Sequence, residues 1–127
     1  MNTGPVKDWV KKADEDYESV VALSKKRGKA APDVVCFLAQ QCAEKYLKAY
    51  LVLHKAQFTK THDLIDLLTR CVKIDSSFEF IHDLLKKLNQ YAVEFRYPGE
   101  DATKREATTA AKAISEVRMV LRQKLDL

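Results

Sequence analysis

Glycine and proline are scarce in this chain, with three of each among 127 residues. Because these two residues interrupt regular structure more strongly than any others, their scarcity favours long helices over many short strands. No segment alternates apolar and polar residues for long enough to predict a strand. Hydrophobic residues make up 46% of the chain and charged residues 31%, which is typical of a folded globular protein. We therefore expect a single all-α domain over residues 1–127.

Cysteine is also sparse, and its pattern suggests no pairing. Cys36, Cys42 and Cys71 are odd in number and form no C-x-x-C pair, so neither a disulfide framework nor a zinc site is expected. The chain has no apolar run of about 18 residues, and its first residues contain no apolar segment typical of a signal peptide. These absences predict a cytoplasmic protein that is neither secreted nor membrane-spanning.

Catalytic motifs of familiar type are missing as well. The glycines are too far apart for a phosphate-binding loop, since they are Gly4, Gly28 and Gly99. The histidines have no spacing typical of zinc ligands, since they are His54, His62 and His82. We therefore predict no catalytic residue of familiar type, no metal and no cofactor. A cysteine–histidine nucleophilic pair stays open, but the sequence marks no cysteine as activated.

Five helices are predicted from apolar residues at three- and four-residue spacing. The first covers residues 6–26 and ends at Gly28, and the second covers residues 33–55 without interruption. The third is short, covers residues 61–72 and has Thr61 as its N-cap. The fourth opens with a capping box at Ser76 and Glu79 and has an apolar stripe from Phe78 to Phe95, and the fifth opens with a capping box at Thr103 and Glu106. We expect an antiparallel up-down four-helix bundle with the third helix as an addition and the second, apolar on several sides, at its centre.

The second helix carries one polar edge that has a functional interpretation beside the ordinary one. Four side chains lie three and four residues apart on one face: Gln41, Glu44, Lys45 and Lys48. The ordinary interpretation is a solvated stripe with exposed ion pairs, such as Glu44 with Lys48, worth about 0.3 kcal/mol each. The alternative is that this edge faces a groove or a subunit interface.

The segment after the fourth helix offers a second candidate site. Arg96 and Tyr97 precede Pro98 and Gly99, and helix five follows with Lys104 and Arg105. An arginine beside a tyrosine suits a phosphate or a base, and free backbone N–H groups at a helix start add to an anion site. The structural alternative is that Arg96 complements the end of the fourth helix while Tyr97 packs and Pro98-Gly99 stop it. Glu100 and Asp101 put opposing negative charge in the same loop.

Several segments together resemble the HEPN domain family (higher eukaryotes and prokaryotes nucleotide-binding). The central-helix segment, residues 40–49 (QQCAEKYLKA), resembles the family's second-helix motif, and residues 60–64 (KTHDL) resemble the segment that opens its next helix. Residues 95–98 (FRYP) resemble its arginine–tyrosine–proline turn, and Trp9 and Ala13 match in the first helix. These matches keep the family's order over nearly the whole chain.

This resemblance implies an up-down helical bundle, commonly a homodimer and often encoded beside a minimal nucleotidyltransferase. Many members are metal-independent RNases that act as toxins or defence effectors, with an arginine followed after four to six residues by a histidine. That motif is missing here, because the window after Arg96 holds Asp101, Ala102 and Thr103. In the RNases the arginine would stabilise phosphate charge while the histidine handles a proton.

The net charge of +4 permits an anionic partner but falls short of a dedicated DNA binder. Our functional hypothesis is a non-catalytic module that binds a nucleotide or RNA phosphate through Arg96, Tyr97, Lys104 and Arg105. Gln41, Glu44, Lys45, Lys48 and His62 are the expected groove or interface residues, with a homodimer and a minimal nucleotidyltransferase as partners. One alternative is an RNase in which His62 or Glu100 replaces the missing histidine. Another is a purely structural antitoxin or scaffold.

Overall fold

A computed structural model describes residues 4–25, 31–92 and 99–127, and these residues fold into helices joined by short connections. The bounds are α1 Gly4–Ser24, α2 Pro32–Leu53, α3 Leu64–Ile74, a 3₁₀ helix Ser76–Ile81, α4 His82–Asn89 and α5 Lys104–Lys124. The all-α prediction is confirmed for these ranges. No helix within them is long and apolar enough to cross a membrane.

The bundle has α2 at its centre, as the sequence predicts. It packs against α1, α3, α4 and α5, and its buried residues extend from Val35 to Leu51. Early residues of α1 meet late residues of α2, because Trp9 lies against Lys48 whereas Asp16 pairs with Lys45, so these helices are antiparallel. The start of α2 lies beside the start of α5, where Asp33 accepts a hydrogen bond from the Ala102 N–H at 2.6 Å. An up-down bundle places its second and fourth long helices in this same direction.

The connection between α2 and α3 turns back along α2. His54 and Lys55 close α2 in a Schellman arrangement, in which the Ala56 N–H bonds to the Leu51 carbonyl at 2.9 Å and Lys55 has a left-handed φ of 55°. The predicted end at Lys55 is therefore two residues too late. Residues 54–63 then return beside the helix, and this return brings distant side chains to the polar edge of α2.

Two helix starts differ from the prediction by one or two residues. Asp63, not Thr61, caps α3, since its carboxylate accepts from the Ile65 N–H at 2.9 Å. Asp75 caps the 3₁₀ helix by accepting from the Ser77 N–H at 3.0 Å, so the predicted capping box at Ser76 and Glu79 is wrong. Both aspartates are also held by distant side chains, since Asn89 donates to Asp63 and Lys124 donates to Asp75.

The fourth helix is shorter than its apolar stripe predicts. It begins as a 3₁₀ helix at Ser76, becomes α-helical at His82 and ends at Asn89. Tyr91 is buried beyond its end, while Phe95 and the predicted cap Gly28 lie outside the described residues. The capping box of α5 is confirmed: the Thr103 hydroxyl accepts from the Glu106 N–H and the Glu106 carboxylate accepts from the Thr103 N–H, both at 3.0 Å.

Candidate functional site

The polar edge of α2 contains a buried ion pair. Glu44 and Lys48 are only 4% and 6% exposed, and the Glu44 Oε2 lies 2.9 Å from the Lys48 Nζ. The other carboxylate oxygen, Oε1, lies 2.8 Å from Nδ1 of His62. A charged residue is seldom buried in this way unless it is paired. One carboxylate thus holds both a buried ammonium and an imidazole from the returning connection.

Neighbouring side chains enclose this cluster. The Gln40 amide, fully buried, donates to the His62 carbonyl at 2.8 Å, so the backbone at His62 is fixed to α2. The Lys48 Nζ lies 5.5 Å from the centroid of the Trp9 ring and 5.8 Å from that of Phe58. Aromatic faces at such distances attract a cation and exclude water from it. We call these six residues the α2 charge cluster: Trp9, Gln40, Glu44, Lys48, Phe58 and His62.

The remaining predicted residues on this edge are half-buried. Lys45 pairs with Asp16 of α1 at 2.6 Å, and the Gln41 amide donates to Gln40 at 2.7 Å. A solvated stripe is therefore wrong for Glu44 and Lys48, whose partners lie within the chain. The groove or subunit interface stays a prediction, and His62 is the exposed member of the predicted set, with 69% of its side chain accessible.

The imidazole ring of His62 is oriented by the Glu44 carboxylate. Its Nδ1 faces the Glu44 carboxylate, which leaves Nε2 as the ring nitrogen without a hydrogen-bond partner in the described part of the chain. A carboxylate at one ring nitrogen fixes the orientation of an imidazole and decides which nitrogen carries the proton of the neutral ring. Asp63, the next residue, accepts from the Asn89 amide at 3.1 Å, which fastens this connection to the end of α4.

A second polar network, which the sequence interpretation missed, joins α1, α2 and α5. Tyr46 donates a hydrogen bond to Asp14, and the Arg118 Nε lies 3.1 Å from the Tyr46 hydroxyl. Arg118 and Arg122 approach the Asp14 carboxylate at 3.4 and 3.5 Å. Burial and the bond to Asp14 raise the pKa of Tyr46 to about 12. No local sequence signal predicts this network, because its members come from three separate helices.

Of the residues predicted for the second site, the structure describes Lys104 and Arg105, which lie at the start of α5. Arg96 and Tyr97 lie outside the described residues. Lys104 and Arg105 are exposed, and neither side chain forms an ion pair with any residue in ranges 4–25, 31–92 and 99–127. The expected supply of free backbone N–H groups is reduced, because those of residues 102, 103 and 106 already bond to side-chain oxygens.

A groove of about 300 Å³ lies between the end of α4 and the start of α5. Its lining comprises Lys87, Gln90, Tyr91, Arg105, Glu106, Thr109 and Ala110. The Tyr91 hydroxyl donates to Glu106 at 2.8 Å, and burial together with this bond raises the pKa of Tyr91. Sequence reasoning named Arg105 but missed Lys87, which is separated from it by the connection between the two helices.

The cysteines do not resemble nucleophiles. All three are buried, and burial raises the pKa of Cys42 and brings that of Cys71 to about 12. A thiol with so high a pKa stays protonated at neutral pH, and the thiolate is the reactive form. Among the described residues, no group of three or more metal-ligating side chains occurs.

Comparison with known proteins relates nearly the whole chain to one family. The model of the HEPN domain matches residues 6–124. An archaeal HEPN homologue of known structure is 22% identical, with 93% of this chain and 95% of that chain covered at a TM-score of 0.68. The protein TT1696 from Thermus thermophilus is 25% identical, with 98% and 99% covered at a TM-score of 0.75. No curated protein sequence matches the chain.

Proposed function

This chain belongs to the HEPN domain family, and on that premise we propose that it is a non-catalytic module that binds nucleotide or RNA phosphates. Membership supports a nucleotide-binding or RNase-type helical module. The choice between these two depends on what the chain's own residues offer a phosphate. The proposed contacts are Arg96, Tyr97, Lys104 and Arg105, with Lys87 added from the groove.

The groove between α4 and α5 is the observation that carries this proposal. Lys87 and Arg105 line it from opposite helices, and neither forms an ion pair in the part of the chain that the structure describes. Unpaired cations on both walls of a groove attract an anion, and an arginine supplies two parallel N–H donors to a phosphate. Arg96 follows Tyr91, a lining residue, by five positions in the sequence, and we therefore include it among the proposed contacts.

The acidic group in this groove is already engaged. Glu106 accepts hydrogen bonds from the Thr103 N–H and from the Tyr91 hydroxyl, at 3.0 and 2.8 Å. These donors offset part of its charge, which reduces its repulsion of a phosphate. The buried ring of Tyr91 is 6% exposed, so the groove favours contacts to phosphate over stacking on a base.

Isothermal titration with ATP, GTP and a short RNA tests the proposal on the wild-type protein and on Arg96→Glu and Arg105→Glu. We expect binding to the wild type and a loss of about tenfold in affinity for each reversal, since a phosphate contact becomes a repulsion. Lys11→Glu is the matched control, because Lys11 is an exposed lysine on α1 without an ion pair among the described residues. Absence of binding, or equal losses in all three variants, would refute the phosphate site.

The predicted partners belong to the same proposal. A homodimer and a minimal nucleotidyltransferase are expected to use the accessible part of the polar edge, namely the half-buried Gln41 and Lys45 and the exposed His62. Light scattering after size-exclusion chromatography should give twice the chain mass, and a nucleotidyltransferase encoded in the adjacent reading frame should co-purify. A complex with that enzyme in the absence of any nucleotide binding would favour the structural antitoxin or scaffold instead.

The geometry at His62 favours a second candidate, an RNase. In such an enzyme the ribose 2′-hydroxyl gives its proton to water as its oxygen attacks phosphorus and forms a 2′,3′-cyclic phosphate. The bond to the 5′-oxygen breaks, and an imidazolium gives its proton to that leaving oxygen. Glu44 holds His62 in a suitable orientation, and Arg96 would stabilise the phosphate charge.

Incubation of pure protein with labelled RNA separates the two candidates. Cleavage that persists in chelator and disappears in both His62→Ala and Arg96→Ala would establish the RNase. Loss with Glu100→Gln instead would assign the proton transfer to that acid. His82→Ala is the matched control, since His82 contacts the exposed carboxylate of Asp83 at 3.3 Å. Intact RNA in all samples supports the binding module.

A further inference from the structure

We propose that the groove between α4 and α5 contains a second phosphate subsite, at Lys112, which extends the binding site from one nucleotide to a strand. This inference rests on the proposed function and adds the length of the ligand. A further cavity of about 340 Å³ lies between the same helices, lined by Leu84, Lys87, Thr108, Thr109, Lys112 and Glu116 among others. Lys87 and Thr109 line both cavities, so the two form one continuous groove.

The cations of this groove, Lys87, Arg105 and Lys112, lie in a row that we call the cation track. Arg105, Thr109 and Lys112 are spaced by four and three residues on α5, which places them on one face of the helix. Seven residues of α-helix correspond to roughly 10.5 Å between the Arg105 and Lys112 backbones. At that spacing, successive phosphates of a strand can each contact one of the two cations. Lys87 faces the middle of the track from α4.

The side chains of this track are available to a ligand. Within the ranges that the structure describes, Lys87, Arg105 and Lys112 form no ion pair. The Thr109 hydroxyl has no hydrogen-bond partner there either, so it adds a neutral donor between the cations. Three cations on a single strand predict a slope of about −2 for log K against log salt, at about 0.7 for each phosphate neutralised.

Glu116 sets the far end of the track. It lines the second cavity one turn beyond Lys112 and has no ion pair with a described residue. A free carboxylate at that place repels the next phosphate. Glu116→Gln, which removes this negative charge, should therefore raise the affinity for an RNA strand by about twofold to fivefold.

Fluorescence anisotropy with uridine monophosphate and oligouridylates of increasing length tests the subsite. We expect the wild-type affinity to rise with length and then level off. Lys112→Glu should lower the affinity for the longer strands by about fivefold to tenfold, so that the ratio of strand to mononucleotide affinity falls. Lys112→Ala should reduce the salt slope by about 0.7. Lys11→Glu is the control of equal charge change and should preserve both the ratio and the slope.

The outcomes separate this inference from the proposed function. If mononucleotide binding depends on Arg105 while strand length and Lys112 have no effect, the phosphate site stands and the second subsite is refuted. If neither ligand binds, both fail together. Circular dichroism of every variant checks the helical fold, and Lys112 is exposed on α5, so its replacement removes no buried contact.

Discussion

The buried pair of Glu44 and Lys48 yields a sharp prediction about stability. Lys48→Met removes the ammonium but keeps most of the side-chain volume against Trp9 and Phe58. The Glu44 carboxylate, with 5% of its side chain exposed, is then left with His62 as its remaining side-chain partner. Removal of one member of a buried pair typically costs about 3–5 kcal/mol, because the other charge stays desolvated. The same pair in a solvated stripe would be worth about 0.3 kcal/mol.

Chemical denaturation measures the loss of unfolding free energy directly. In thermal denaturation, a loss of about 3–5 kcal/mol in a chain of this length corresponds to a fall in melting temperature of about 10–20 °C. The double variant Glu44→Leu/Lys48→Met leaves no buried charge, so we expect it to be more stable than Lys48→Met alone. Lys12→Met is the control, since Lys12 and Glu15 are 3.9 Å apart and more than half exposed. A loss with Lys48→Met no larger than with Lys12→Met would refute the reasoning from burial.

Three further predictions concern other parts of the fold. Hydrogen bonds from Lys124 and Ser77 lower the pKa of Asp75 to about 2 from its ordinary 3.8. The contribution of Asp75 to folding stability is therefore present above about pH 4 and is lost as the pH falls towards 2. Denaturation at several pH values should show that Asp75→Asn loses this part of the pH dependence. The three buried cysteines should react with a thiol reagent at mildly alkaline pH only after denaturation, and rapid reaction of the native protein would contradict their burial. Thr103→Ala removes the hydroxyl half of the α5 capping box and should cost about 1 kcal/mol of unfolding free energy, whereas Thr108→Ala in the same helix should cost less.

The sequence predicts the helices well because their apolar periodicity is a local property. It identifies the cap at Thr103, where one hydroxyl is followed by one glutamate at the required spacing. It misplaces the caps where several suitable residues stand together, as in Thr61 to Asp63 and Asp75 to Ser77. Contacts with residues distant in the sequence hold the N-cap residue at these two positions. Asn89 bonds to Asp63, and Lys124 bonds to Asp75 at 2.6 Å. No local pattern contains those contacts.

The candidate sites show the same limit more strongly. Spacing places Glu44 and Lys48 on one face of α2, but their burial results from Trp9 on α1 and from Phe58 and His62 on the returning connection. A charged edge on an isolated helix is ordinarily solvated, so residue types alone favour the wrong alternative. Lys87 was likewise missed because its relation to Arg105 arises only when α4 and α5 pack together. Site residues within one segment can be predicted, while sites assembled across segments require the fold.

The shared carboxylate of Glu44 decides which variants can test the function. Glu44 holds Lys48 in the interior and His62 at the surface, so replacing it changes both stability and the orientation of the imidazole. A loss of RNA cleavage or RNA binding in Glu44→Gln would therefore have two explanations. His62→Gln leaves the buried pair in place, replaces a side chain that is 69% exposed, and keeps an amide N–H that can donate to Glu44. Its unfolding free energy should therefore stay within about 1 kcal/mol of the wild type. If His62→Gln abolishes cleavage or binding at unchanged stability, the imidazole itself acts on the phosphate. If it changes neither, the cluster around Glu44 is structural, and the function lies at Arg96 and the groove between α4 and α5.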